Sequence, residues 1–249
     1  MMEKKESAII FKNVHKSFGP LHVLQGLDLD IPFGQITTIL GPSGCGKSVT
    51  LKHVIGILQA DSGLIEVVGH DMSSIRQKEL INLRKRIGVL FQSSALFDSM
   101  TVKENVAFGL RMHTKMTEAE ISERVHVCLD AVKLADTEER MPVELSGGMR
   151  KRAALARAIA MSPDFILYDE PTTGLDPNTS NVVGEYILKL QDELDITSVV
   201  VTHDMPLTRR ISDKVALLFK GKAVAQGTLD DIESSGNEAY QWFVDGRLG

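Results

Sequence analysis

Apolar positions along the chain follow two alternating periods. Short runs rich in Ile, Val and Leu, at 8–14, 36–40, 64–68, 87–91, 165–168 and 198–202, read as strands. Leu27, Leu29 and Ile31 alternate with Asp28 and Asp30, so one further strand keeps a wet face. Lys214 to Phe219 and Ala223 to Ala225 flank Gly221 as a hairpin, and Phe18-Gly19-Pro20 and Asp61-Ser62-Gly63 read as turns. Gly69-His70-Asp71 is expected to end the 64–68 strand. Between these runs the period lengthens to that of a helix. Leu51, Val54, Ile55 and Leu58 share a face; Ser74 and Gln77 form a capping box that opens a helix bearing Ile75, Leu80 and Leu83. From Ser93 to about Leu145 strand runs vanish. There Thr117 and Glu120 cap a helix to Leu134, with Ile121, Val125, Cys128, Leu129 and Val132 on one side. Further helices are expected at Met149 to Met161 and Thr179 to Leu194. Strands joined through helices form a parallel sheet, so the pattern predicts an α/β fold with a helical subdomain inserted at about 93–160.

Composition narrows the possibilities. With 249 residues, 43% hydrophobic and 24% charged, the chain suffices for one large α/β domain or two small subdomains sharing an interface. A net charge of -5 argues against a nucleic-acid groove. No apolar run is long enough to span a membrane. Met1-Met2-Glu3-Lys4-Lys5-Glu6 lacks the apolar segment of a signal peptide and is expected to be a frayed start in the cytosol. Cys45 and Cys128, the two cysteines, suggest neither a disulfide framework nor a metal site.

The chemistry gathers at the ends of the predicted strands. Gly41-Pro42-Ser43-Gly44-Cys45-Gly46-Lys47-Ser48 fits G-x-x-x-x-G-K-[ST] and lies between the 36–40 strand and a helix, the context that pattern requires. Glycines let backbone N–H groups curl round a phosphate, and the helix start adds partial positive charge. Lys47 is placed to reach the β- and γ-phosphates and the Ser48 hydroxyl to ligate magnesium. Gln92, Asp169-Glu170 and His203 each follow an apolar run at once. The carboxyl ends of parallel strands share one rim, where ligands bind, so these residues and the glycine loop are expected to wall one phosphate-handling site. Two carboxylates beside a triphosphate need a cation between them. Asp169 is assigned to magnesium, through water or directly, and Glu170 to orienting and deprotonating the attacking water. His203 is placed to hydrogen-bond the γ-phosphate and that water, and Gln92 to reach metal or water with its amide oxygen. Taken singly, a solvated histidine or glutamine, or a carboxylate pair capping a turn, would explain each.

Leu145-Ser146-Gly147-Gly148-Met149 makes a second candidate anion site. Ser146 would N-cap the following helix, and Gly147 and Gly148 leave the amides of its first turn uncovered. Arg150, Lys151 and Arg152 add positive charge nearby. An ordinary capped helix behind a glycine turn is the alternative.

In order along the chain, Gly41 to Ser48, Gln92, Leu145-Ser146-Gly147-Gly148, Asp169-Glu170, Gly174-Leu175-Asp176 and His203 resemble the motifs of ATP-binding-cassette (ABC) ATPases. The resemblance covers about 8–227 and leaves 228–249 as a tail. It implies a P-loop NTPase fold with a parallel-sheet core, an N-terminal antiparallel β subdomain and the inserted helical subdomain. It implies ATP and Mg2+ held in a head-to-tail homodimer. Each ATP would lie between one copy's glycine loop, Val49 included, and the other copy's Ser146-Gly147-Gly148 turn. Asp176 would couple the two sites. Phe18 resembles the aromatic that stacks on adenine, with a buried core phenylalanine as the rival reading. In transporters of this family the dimer drives a pair of integral-membrane permease subunits, whose cytosolic helices would dock beside Gln92 and the helical insert.

A narrower likeness lies in the run Leu90 to Val102 and in Leu145 to Arg152, which are similar to ATPases of lipid-trafficking ABC systems that maintain lipid asymmetry. This implies phospholipid cargo handled by partners, a mammalian-cell-entry-type protein, a small STAS-domain subunit, and a peripheral place on the cytoplasmic face of a bacterial inner membrane. Met149 stands where most cassettes carry glutamine, and Val49 where threonine is commoner. In the tail, Thr228 and Asp231 suggest a capped helix broken at Gly236-Asn237. Tyr240, Trp242 and Phe243 either fold back on the core or dock on a partner. A soluble cassette ATPase without a permease is the alternative function. A DNA-maintenance cassette would need a long coiled-coil insertion and a basic face, neither of which is visible.

Overall fold

The computed structural model describes residues 7–247, so the start read above as frayed lies outside the described residues. Two sheets form. The first contains β1 (Ser7–Phe18), β2 (Leu21–Pro32), β4 (Ser62–Val67) and β5 (His70–Asp71), all antiparallel, in the order β2-β1-β4-β5. The second contains β3 (Ile36–Leu40), β6 (Ile87–Leu90), β7 (Phe165–Asp169), β8 (Thr197–Thr202), β9 (Lys214–Phe219) and β10 (Lys222–Gly227), in the order β10-β9-β3-β8-β7-β6. It is parallel throughout except for the β9–β10 hairpin at its edge. Helices α1 (Lys47–Val54), α2 (Gln77–Lys85), α3 (Val102–His113), α4 (Glu118–Ala131), α5 (Gly147–Ile159), α6 (Pro177–Leu194), α7 (Met205–Ile211), α8 (Leu229–Ser234) and α9 (Glu238–Val244) complete the described residues.

Every residue of β3 and β8 is buried, as expected of parallel strands covered on both faces. Alternate residues of β7 serve different cores. Phe165 and Leu167 pack with Ile9, Phe11, Leu27 and Leu29 of the antiparallel sheet and with Leu51 and Val54 of α1. Ile166 and Tyr168 pack with residues of α3, α4, α5 and α6. The period of two therefore makes one strand the partition between two hydrophobic layers. Between β6 and β7 the chain is helical, with α3, α4 and α5 and two short 3-10 turns.

Several boundaries differ from expectation for local reasons. Helix α1 stops at Val54, because Gly56 takes φ +67° and turns the chain away, so Leu58 lies beyond it. Helix α2 is capped by Arg76 with Glu79, while the Ser74 hydroxyl donates to the Asp71 carbonyl instead. His70-Asp71 does not merely end a strand but pairs back on Val67 and Glu66. Helix α4 begins on the Thr117–Glu120 box but ends at Ala131, just before Lys133 at φ +54°. The tail folds onto the chain's own core: Tyr240 is buried with Leu40, Val215, Leu217, Leu229 and Ile232, and its hydroxyl donates to Glu233 at 2.6 Å.

Candidate active site

The glycine loop sits between β3 and α1. A Cβ on Gly41 would lie 2.3 Å from the Leu218 carbonyl oxygen, so the loop leaves the sheet through a gap only glycine fits. Gly46 takes φ +109°, a conformation side chains resist, while Gly44, at φ +78°, has open space where a Cβ would stand. Lys47 is buried. Its Nζ donates to the carbonyls of Gly41 (2.8 Å) and Pro42 (3.0 Å) and lies 3.3 Å from Glu170 Oε1. Ser48 Oγ donates to Asp169 Oδ1 at 2.8 Å.

Parallel pairing of β3, β8 and β7 brings the far-apart motifs onto one rim. Glu170, immediately after β7, is buried with φ +49°. Its Oε2 accepts from Thr173 Oγ1 (3.1 Å) and Thr202 Oγ1 (3.4 Å), and His203 Nδ1 lies 2.9 Å away. The structure thus joins Lys47, Ser48, Asp169, Glu170 and His203 directly. Thr173 and Thr202 were not singled out from sequence; a hydroxyl beside a carboxylate motif carries no distinctive pattern.

Gln92 reaches this cluster through its backbone. The residue is exposed, and its carbonyl accepts from Lys151 Nζ, which also lies 3.4 Å from the Glu170 carbonyl. Lys151 looked like one of three cations ringing a helix start. Instead Arg150 donates to the Leu145 carbonyl and Arg152 to those of Val132 and Lys133, while Lys151 turns inward. The signal was available: Lys151, Ala154, Leu155 and Ala158 share one helical face, and all four are buried.

The remaining predicted residues lie elsewhere. Ser146 N-caps α5, its Oγ accepting from Met149 N at 3.2 Å. A Cβ on Gly148 would stand 2.5 Å from Thr179 Cγ2, so the turn packs closely on the start of α6. Asp176 caps α6, accepting from Asn178 N, Thr179 N and Thr179 Oγ1; the Thr179 hydroxyl chiefly holds its carboxyl below the usual range. Among the described residues no hydrogen bond or ion pair joins Ser146 or Asp176 to Lys47 or Glu170, and Ser146 and Gly148 line their own cavity of about 600 Å³. Pro42, Ser43 and His203 line a different groove of about 1580 Å³, walled also by Leu175 and Trp242. Phe18, at the end of β1, is 44% exposed with Lys16 Nζ 5.5 Å from its ring centre, which removes the buried-core alternative. Burial pushes the Cys45 thiol up, and Val49 is half-buried against the same core as Leu51.

Among the described residues no group of three His, Cys, Asp or Glu side chains could hold a metal by itself. The adjacent oxygens of Ser48 and Asp169 suit a cation that takes few protein ligands and completes its octahedron with phosphate and water, as Mg2+ does. A glycine loop opening a helix, a buried lysine and a carboxylate pair on the switch rim of a parallel sheet define a P-loop nucleotide-binding fold.

The sequence matches the ABC transporter family over residues 24–173. It is 42% identical over 240 residues to the probable ribonucleotide transport ATP-binding protein mkl of Mycobacterium leprae, covering 96% of this chain and 69% of that one. It is 40% identical over 242 residues to the intermembrane phospholipid transport system ATP-binding protein MlaF of Haemophilus influenzae, covering 97% and 92%. The dimeric ATP-binding cassette MJ0796, solved in a post-hydrolysis state with ADP and Pi, superposes with a TM-score of 0.81 at 31% identity, covering 89% of this chain and 98% of that one. The chain belongs to the ABC transporter family, as an ATPase subunit. It spans about two thirds of the length of its mycobacterial relatives, 69% and 65% in two of them.

Proposed function

We propose that this chain is the ATP-hydrolysing subunit of an inner-membrane transporter that moves phospholipid and maintains outer-membrane lipid asymmetry. The observation that carries the hydrolytic part is the contact set Lys47–Glu170–His203 beside Ser48–Asp169. Backbone N–H groups of Ser43 to Ser48 and the Lys47 ammonium hold the phosphates, with Phe18 against the base. Ser48 and Asp169 would hold Mg2+, aided by Gln92, and the ion when bound would supply charge neutralisation at the phosphate oxygens. Lys47 carries three donors, two of them engaged by the Gly41 and Pro42 carbonyls. Once phosphate oxygens claim the third, Glu170 keeps His203, Thr173 and Thr202 as its partners and turns its free oxygen to water. His203 Nδ1 fixes Glu170 Oε2, and the ring's other nitrogen donates to the γ-phosphate only when the ring carries both protons.

Two copies close head to tail on two ATP molecules. The Ser146-Gly147-Gly148 turn of each copy then meets the nucleotide of the other, which accounts for a glycine-rich helix start far from its own Lys47. Shared γ-phosphate contacts hold the pair closed and hydrolysis releases them. Permease subunits dock beside Gln92 and the helical insert, in a complex with a mammalian-cell-entry-type protein and a STAS-domain subunit. Phospholipid cargo is favoured by the MlaF relative, which matches over nearly its whole length, and by the 90–102 and 145–152 runs.

The test is to purify the complex from membranes through a tag on this chain, reconstitute it, and measure ATP-driven transfer of fluorescent phospholipid between vesicles. Transfer that needs ATP and vanishes in Glu170→Gln supports the reading. ATPase activity without lipid transfer would remove the cargo, and recovery only from the soluble fraction would favour a permease-free assembly ATPase.

A further inference from the structure

Lys151 is a buried cation that links three parts of the chain by two hydrogen bonds. It belongs to α5, the helix that Ser146 caps; its ammonium donates to the Gln92 carbonyl, which follows β6; and it reaches the Glu170 carbonyl, which follows β7, at 3.4 Å. Farther along the same helix Arg157 donates to the carbonyls of Ser94 (2.9 Å) and Ala95 (2.7 Å). Ser94 and Ala95 stand at φ +65° and +48°, where non-glycine residues persist only if their surroundings hold them. Two cations of α5 therefore clamp the 92–95 segment by its backbone, and one of them also holds Glu170. Burial lowers the Lys151 ammonium below the ordinary lysine range, opposed by the nearby Asp169 and Glu170 carboxylates. A methionine or leucine would avoid that desolvation cost but leave the Gln92 and Glu170 carbonyls without this donor, which a neutral polar side chain could also supply. Structural glue alone does not require a charge here.

We infer that Lys151 is a positioning residue that ties the Gln92 carbonyl, the Glu170 carbonyl and the Ser146 helix into one unit, so that displacement of the Gln92 segment moves the Glu170 carboxylate into or out of line with the attacking water. This rests on the reading of Glu170 as the base. Lys151 acts through the Glu170 peptide: carbonyl and side chain leave the same Cα, held at a left-handed φ by its surroundings, so moving the carbonyl turns the side chain.

The test compares Lys151→Met, Lys151→Arg, Lys151→Gln and Glu170→Gln in the full chain, reading kcat and KM for ATP and the thermal midpoint. Lys151→Met should lose roughly tenfold or more in kcat with KM within about twofold, because a small misplacement of the base costs turnover and not binding. Lys151→Arg restores cationic donors and should return kcat to within about threefold of wild type. If Lys151→Met does not fold, Lys151→Gln, whose shorter amide does not reach both carbonyls, should show the same kcat-only loss. Wild-type kcat in a folded Met or Gln variant overturns the inference. So does an equal loss in kcat and affinity that Arg does not rescue. Fast Glu170→Gln overturns the base assignment instead, whereas slow Glu170→Gln beside fast Lys151→Met overturns this inference alone.

Discussion

Lys47 Nζ lies 3.3 Å from Glu170 Oε1, and both side chains are nearly inaccessible, at 6% and 11%. The residue that grips phosphate is thus paired with the residue assigned to activate water. Removing one member of such a pair leaves the other charge buried. Lys47→Ala should lose ATP binding, measured with a fluorescent analogue, and also cost about 3 kcal/mol in denaturant unfolding. Adding Glu170→Gln to it should recover more than half of that stability and none of the turnover. Glu170→Gln alone should keep ATP binding, lose about 10²- to 10⁴-fold in turnover, and accumulate as a dimer with ATP on a sizing column.

Two glycines of the loop differ in why they are glycine, and the difference is measurable. At Gly41 a Cβ would meet the Leu218 carbonyl at 2.3 Å and Cys45 Sγ at 2.8 Å, so the loop must move off β9. At Gly44 a Cβ meets nothing within 4 Å, and the only penalty is its φ of +78°. Gly41→Ala should therefore cost about 2–3 kcal/mol and weaken ATP, as overpacked sites do. Gly44→Ala should cost about 1 kcal/mol. Urea unfolding of both, beside ATP titrations, checks the order.

Most of the fold was legible because β3, β7 and β8 are buried on both faces and so read as short runs of mostly apolar and β-branched residues without a charge before their last position. The rim site followed, since each motif abuts such a run. Helix α7 was not legible: at seven residues it is too short for a period to register, and Pro206 at its start reads equally as a turn. The inward turn of Lys151 was legible only from the face it shares with Ala154, Leu155 and Ala158, because Arg150 and Arg152 beside it carry the same charge; how α5 packs on β6 separates them. That packing is close enough that a Cβ on Gly88 would stand 2.6 Å from the Ala158 carbonyl. Capping boxes at Thr117 and Thr228 were legible because their chemistry is local. Ser74 shows the limit, having the right spacing but a partner, the Asp71 carbonyl, supplied by the β5 turn.

Cys45 lies inside the phosphate loop yet is buried, and burial pushes its thiol above the ordinary range against the pull of Lys47. Thiolate is the reactive form, so alkylation by iodoacetamide at pH 8 should run well below the rate of an exposed cysteine. It should speed up about tenfold per pH unit while the thiolate remains the minor form. ATP with Mg2+ should slow it further, because phosphate closes the loop over the sulfur. Mass spectrometry of the Cys45 peptide gives the rate. Cys128, buried in α4, should be equally slow and indifferent to ATP.

His53 is fully buried on α1, one turn beyond Val49, with Nδ1 2.8 Å from the Val49 carbonyl. Burial lowers its pKa below the model-peptide 6.5, and neighbouring Lys16 acts in the same direction. The folded chain therefore keeps His53 neutral while an unfolded chain protonates it. Well above pH 6.5 neither state holds the proton, and the stability His53 contributes is complete. As pH falls below that value the unfolded state gains a proton the folded state refuses, so stability is lost, with a slope of at most about 1.4 kcal/mol per pH unit. The loss levels off once pH passes the folded-state pKa. Urea midpoints between pH 7 and pH 5 should show this fall in wild type and a flatter profile in His53→Gln, which keeps an amide donor for the Val49 carbonyl but has nothing to titrate.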